Sequence, residues 1–190
     1  TYGMYDVSAK INDVENITIN LDSKFQIDSS KVISKFDSNT KIIFITNPNN
    51  PTGNTFDEKS IIKIIESFQG IVFIDEAYVD YSKKSFLKKI NKYDNLIISQ
   101  TFSKALGLAG IRLGVGYSNK DIIDYIKKVN NEASEKMISN MEKKTLPSHV
   151  ARLNGLDAAR SKRIYKALSK LSDKAVFALT NKDMRSFSIY

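Results

Sequence analysis

Hydrophobic positions along this chain fall into short β-branched runs separated by stretches of helical period, an alternation that predicts an α/β fold. Lys41 to Thr46, Ile71 to Ile74, Leu96 to Ile98 and Leu113 to Tyr117 read as strands. The first three are continuous apolar runs, the pattern of strands buried on both faces of a parallel sheet. Ile17 to Leu21 alternates with a period of two and predicts a further strand. From Asp57 to Phe68 the apolar residues Ile61, Ile62, Ile64, Ile65 and Phe68 share one helical face, with Asp57 placed to cap the first turn. Gly70 closes that helix, and Tyr2 to Ile11, Ser29 to Phe36 and Lys120 to Val129 supply three more helical stretches. Strand, helix and strand at this spacing predict a mostly parallel sheet flanked by helices.

Three of the strands run directly into polar residues. The segments read Thr46-Asn-Pro-Asn-Asn-Pro-Thr-Gly53, Ile74-Asp-Glu-Ala-Tyr78 and Ser99-Gln-Thr-Phe-Ser-Lys-Ala-Leu-Gly-Leu-Ala-Gly-Ile-Arg-Leu-Gly114. In open α/β sheets ligands sit just beyond the carboxyl ends of the strands. Asn50, Asp75, Tyr78, Thr101, Ser103, Lys104 and Arg112 are therefore expected on one rim. Two hydroxyls and a planar guanidinium suit a phosphate dianion, and a lysine among small and hydroxylated neighbours suits reaction with an aldehyde. Each has a plainer reading as well: asparagine and aspartate are common turn formers, and most lysines are solvated.

Composition narrows the classes. With no cysteine and one histidine, disulfides, thiolate chemistry and histidine-based metal sites are set aside. No apolar run approaches the roughly 20 residues needed to cross a bilayer, and the start of the chain has no basic stretch followed by an apolar one. A cytoplasmic setting is expected. The first residue is Thr1 rather than methionine, so the chain is expected to be part of a longer protein.

Charge divides the chain in two. Residues 1–131 hold 17 Lys or Arg against 15 Asp or Glu, whereas residues 132–190 hold 12 against 6. Isoleucine drops from 21 to three across the same point, and arginine rises from one, Arg112, to four. A junction near residue 131 is expected, followed by a basic, mainly helical tail in which Leu156, Ala159, Arg163, Ala167 and Leu171 recur at helical spacing. Its lysines read as a solvated face before they read as a nucleic-acid surface.

The three polar segments, in this order, resemble the class-II pyridoxal-phosphate aminotransferases of fold type I. With Thr1-Tyr-Gly-Met-Tyr5 upstream, the wording is most similar to the histidinol-phosphate aminotransferases, over residues 1–131. The resemblance implies a partial large domain that binds pyridoxal 5′-phosphate. Within it, Lys104, Asp75 and Tyr78 would be catalytic: Lys104 as the amine that meets the cofactor aldehyde and moves a proton, Asp75 as the partner of the ring nitrogen. Tyr78 and Asn50 would face the cofactor's phenolate oxygen, and Thr101, Ser103 and Arg112 its phosphate. Tyr2 would stack on the ring, and Gly107, Gly110 and Gly114 would let the backbone approach. The resemblance further implies a homodimer exchanging an amino group between a donor such as histidinol phosphate and a 2-oxo acid such as 2-oxoglutarate. Family groups that complete the substrate pocket have no counterpart in the chain. Other readings stay open: a related enzyme (an aromatic transaminase or an amino-acid phosphate decarboxylase), or an inert fragment whose tail binds nucleic acid or a protein partner.

Overall fold

The structure is a computed structural model that describes residues 1–82, 84–111, 113–129 and 176–180, the last five and Ile111 by backbone alone. In chain order it contains α1 (Met4–Ile11), α2 (Ser29–Ile33), β1 (Ile42–Thr46), α3 (Glu58–Ser67), β2 (Ile71–Asp75), α4 (Val79–Ser82), β3 (Leu96–Thr101), β4 (Leu113–Tyr117), α5 (120–129) and β5 (Val176–Thr180). Short 3-10 turns lie at Phe86–Lys89 and Ala109–Ile111.

The five strands make one sheet in the order β1-β2-β3-β4-β5. β1, β2 and β3 are parallel, with Thr46 opposite Asp75 and Asp75 opposite Ser99. Their carboxyl ends consequently share one rim. β4 then runs antiparallel to β3, with Thr101 opposite Gly114, so its first residues return to that same rim.

Burial of α3 drives the packing. Asp57 caps the helix by accepting from Ser60 N at 2.9 Å, and Ile61, Ile64 and Ile65 face inward with essentially no exposure. They meet Val72 and Ile74 of β2, Leu96 and Ile98 of β3, and Phe68, Phe86, Ile90 and Tyr93 in a single cluster. Asn95 fastens the end of α3 to the start of β3: its Nδ2 donates to the carbonyls of Ile65, Phe68 and Gly70 at 3.1, 2.8 and 3.2 Å.

Three expectations change. Ile17 to Leu21 forms no strand, because no strand among the described residues pairs its backbone. The alternation holds from Thr18 to Leu21, where Ile19 and Leu21 pack on the core while Thr18 and Asn20 are exposed, but Ile17, which it would place with Ile19, is exposed. Among the described residues β1 is an edge strand rather than one buried on both faces, and Ile42 and Phe44 are exposed. In the tail, residues 176–180 pair antiparallel with β4 as a strand, so the helical reading does not hold there. The helical spacing from Leu156 to Leu171 lies outside the described residues.

Candidate functional site

The rim is built by three loops. The loop after β1 is a knot of hydrogen bonds: Asn49 N donates to Asn54 O at 2.8 Å, Gly53 N to Asn49 O at 2.7 Å, and Asn49 Nδ2 to Thr52 Oγ1 at 2.7 Å. Gly53 takes φ +72°, a conformation that L side chains rarely adopt. The buried Asn47 anchors the loop from beneath, its N donating to Asp75 O and its Oδ1 accepting from Phe56 N, both at 2.9 Å. Asn50 is thereby presented half-buried at the tip of a fixed turn.

Asp75 is the last residue of β2 and is half-buried. Its carboxylate accepts three donors. Ala77 N at 2.9 Å and Ser99 Oγ at 3.4 Å reach Oδ1, and the phenol of Tyr5 reaches Oδ2 at 2.5 Å. Burial and the adjoining carboxylate push the Tyr5 phenol well above its ordinary range, so it stays protonated and donates.

Glu76, one residue on, is almost fully buried at 1% exposure. It accepts from Phe86 N at 2.6 Å, Ser85 Oγ at 2.7 Å and Gln100 Nε2 at 2.8 Å, tying the chain after α4 to β3. Burial raises the Glu76 carboxyl above its ordinary value, and these three donors offset part of that rise. Burial, with Glu76 nearby, likewise raises the Tyr117 phenol.

Beyond β3, Thr101 Oγ1 accepts from Ser103 N at 3.2 Å and faces the carbonyl of Leu113 at 3.5 Å. Both hydroxyl residues are half-buried. A turn closed by Gly107 N donating to Lys104 O at 2.9 Å presents Lys104, and it requires Gly107 at φ +65°. The Lys104 Nζ lies 5.3 Å from the centre of the Tyr78 ring, a cation–π contact between the loop after β3 and the loop after β2. A Cβ on Gly114 would stand a tight 3.3 Å from Gln100 O, whereas one on Gly110 would meet open space, so a side chain is crowded only at the former of these two.

The residues singled out from the sequence thus separate into groups. Lys104 and Tyr78 are in contact, and Thr101 and Ser103 bond to each other. Tyr2 meets Tyr5 edge-on at 5.9 Å, and Tyr5 bonds the Asp75 carboxylate. Arg112 lies outside the described residues. Tyr5, Thr46, Ser99 and Glu76 were not anticipated. For Tyr5 a signal existed in its nearness to Tyr2 in Thr1-Tyr-Gly-Met-Tyr5; Tyr2 precedes α1 and Tyr5 lies in its first turn.

The same sequence has close relatives. It is 52% identical over 130 residues to a histidinol-phosphate aminotransferase of Flavobacterium johnsoniae, covering 68% of this chain and 37% of the relative. Among solved structures, the histidinol-phosphate aminotransferase of Clostridium acetobutylicum superposes with a TM-score of 0.57 at 30% identity, over 61% of this chain and 36% of that one. The fold is also that of a histidinol-phosphate aminotransferase of Sinorhizobium meliloti solved in complex with pyridoxal-5′-phosphate, with a TM-score of 0.53 at 22% identity over 62% of this chain and 33% of that one. The chain spans under half the length of the curated relatives it matches. The sequence model described as aminotransferase class I and II matches residues 1–173, past the last of the rim motifs and into the basic segment. Motif order, rim geometry and a match over most of its length agree: the chain belongs to the class I and II aminotransferase family.

Proposed function

We propose that this rim is the cofactor cradle of a pyridoxal-phosphate-dependent transaminase, and that the whole protein transfers an amino group from histidinol phosphate to 2-oxoglutarate. The observation that carries the reading is the placement of the Lys104 amine over the Tyr78 ring, three residues beyond Asp75 at the end of β2. The donor set fits the cofactor's chemistry. A carboxylate is available for a ring nitrogen, a phenol and an amide for a phenolate oxygen, two hydroxyls for a phosphate, and an amine for an aldehyde. Asp75 is the most telling of these, because its three donors occupy three of the roughly four acceptor positions of a carboxylate and leave one.

Pyridoxal phosphate supplies an aldehyde that carries the amino group and a ring that takes up electrons from the substrate's α-carbon. The protein's share is orientation and proton transfer. Asp75 would hold the ring nitrogen's proton, and Tyr78 with Asn50 would fix the phenolate edge. Thr101 and Ser103, with Arg112, would seat the phosphate, and Tyr2 would cover the ring. Lys104 would attach the cofactor, then take the proton from the substrate's α-carbon and return it at the neighbouring carbon.

A cytoplasmic homodimer, with residues 1–131 as the cradle and 132–190 as the basic segment that follows it, completes the proposal. The substrate assignment draws on the name of the Flavobacterium johnsoniae relative and on the wording of the motifs. Borohydride reduction with pyridoxal phosphate, followed by peptide mapping, tests the cradle. The label should fall on Lys104 and vanish in Lys104→Ala, and labelling spread over other lysines with Lys104 unmarked would refute it. An amino-transfer assay with histidinol phosphate against phenylalanine and phosphorylated amino acids separates the named substrate from the related enzymes.

A further inference from the structure

A line of hydroxyls runs behind Asp75, and no role proposed so far uses it. Thr1 Oγ1 donates to Thr46 Oγ1 at 2.9 Å, Thr46 Oγ1 donates to the Tyr5 hydroxyl at 3.5 Å, and Tyr5 donates to Asp75 Oδ2 at 2.5 Å. The Tyr5 ring is held independently: it stacks on Phe44 at 4.8 Å with 23° between planes, and meets Tyr2 edge-on. Thr46 is buried at the end of β1, directly opposite Asp75 in the parallel register. The phenol is therefore fixed from both sides, and the carboxylate inherits its orientation.

We propose that Tyr5 is a positioning residue for Asp75, its phenol fixing the carboxylate's rotamer and withdrawing charge from the oxygen it bonds, so that Asp75 meets a cofactor ring nitrogen in one orientation and as a moderated acceptor. A donor on Oδ2 makes the carboxylate a weaker acceptor for any other proton. A ring nitrogen facing it then keeps its own proton more completely, which is the state in which the ring takes up electrons best. Without the phenol, two acceptor positions are open instead of one and the carboxylate draws more strongly on the shared proton. This inference rests on the reading of Asp75 as the partner of the ring nitrogen.

The test uses the full 190-residue chain and pyridoxal phosphate labelled with 15N in its ring. Tyr5→Phe keeps the ring stack and removes only the hydroxyl. It should move the bound ring-nitrogen resonance toward the neutral-pyridine position and weaken cofactor binding about three- to tenfold. Thr46→Val should give a smaller displacement in the same direction. Placing 3-fluorotyrosine at position 5, a stronger donor of nearly the same shape, should move the resonance the opposite way. A merely structural Tyr5 would not produce that reversal, and the fluorinated chain decides the matter even if Tyr5→Phe folds poorly. An unchanged resonance across the three variants, with cofactor still attached at Lys104, overturns the role of Tyr5 and leaves the cradle standing. Failure of the unmodified chain to take up cofactor at Lys104 overturns the cradle, and this inference with it.

Discussion

The Lys104 ammonium and the Tyr78 ring, 5.3 Å apart, join two loops that leave neighbouring parallel strands. The contact restrains an otherwise exposed lysine where the proposed cradle calls for an amine. Tyr78→Phe preserves the ring beneath the ammonium, whereas Tyr78→Leu removes it. The borohydride-trapped yield at Lys104 under limiting cofactor should be about two- to fivefold lower in the Leu variant than in the Phe variant. Equal yields would mean that the ring does not hold the lysine.

Glu76 is predicted to be a stability residue. Truncation by Glu76→Ala strands the N–H of Phe86, the amide of Gln100 and the hydroxyl of Ser85, and should cost about 2–4 kcal/mol in urea unfolding. A loss under 1 kcal/mol, roughly the scale of a surface change, would show that water replaces the carboxylate.

The same residue gives a pH signature. Burial raises its carboxyl above the ordinary value of 4.5, so the folded chain binds this proton more tightly than the unfolded chain. That contribution is complete below 4.5 and is lost as pH rises through the raised folded value. Glu76→Gln carries no such proton. The stability of the native chain minus that of the Gln variant should therefore fall as pH rises above 4.5, and a difference that rises instead would contradict the assignment.

Gly70 sits where no side chain fits. An added Cβ would lie 2.4 Å from the carbonyl oxygen of Lys41 and 2.6 Å from the Phe68 ring, and that carbonyl is already bonded to Ile71 N at 2.9 Å. Gly70→Ala should destabilise the fold by about 2–3 kcal/mol, read as a lowered thermal midpoint. An unchanged midpoint would require the segment between α3 and β2 to yield without strain.

At the other end of α3, Asp57→Ala removes the acceptor for Ser60 N. The expected cost is about 1 kcal/mol, recovered largely by Asp57→Ser or Asp57→Asn. Equal losses in all three variants would point away from capping.

What could be read in advance follows a physical divide. α3, its Asp57 cap and strand β4 were legible because period and capping are local properties of a few adjacent residues. The polar residues at the ends of β1, β2 and β3 were legible because parallel strands bring their carboxyl ends to one edge. Tyr5 and Asp75 are 70 residues apart, and no local pattern announces their bond. Ile17 to Leu21 shows the complementary limit: alternation reports which side chains face the core, whereas a strand also needs a neighbour. The burial of Glu76 went unseen because a charged residue inside a sheet is intelligible only with its three donors in view.

The reversal of direction between β3 and β4 has a consequence for how such a rim can change. β3 ends and β4 begins at adjacent positions of the sheet, Thr101 opposite Gly114, and the excursion between them is tied by Phe102 N donating to Leu113 O at 3.2 Å and Leu108 N to Phe102 O at 2.9 Å. The excursion is closed at its base, so lengthening or shortening it leaves the strand register untouched. Ser103 and Lys104 lie within it. A change in its length would therefore move hydroxyl and amine together while the scaffold beneath keeps its alignment.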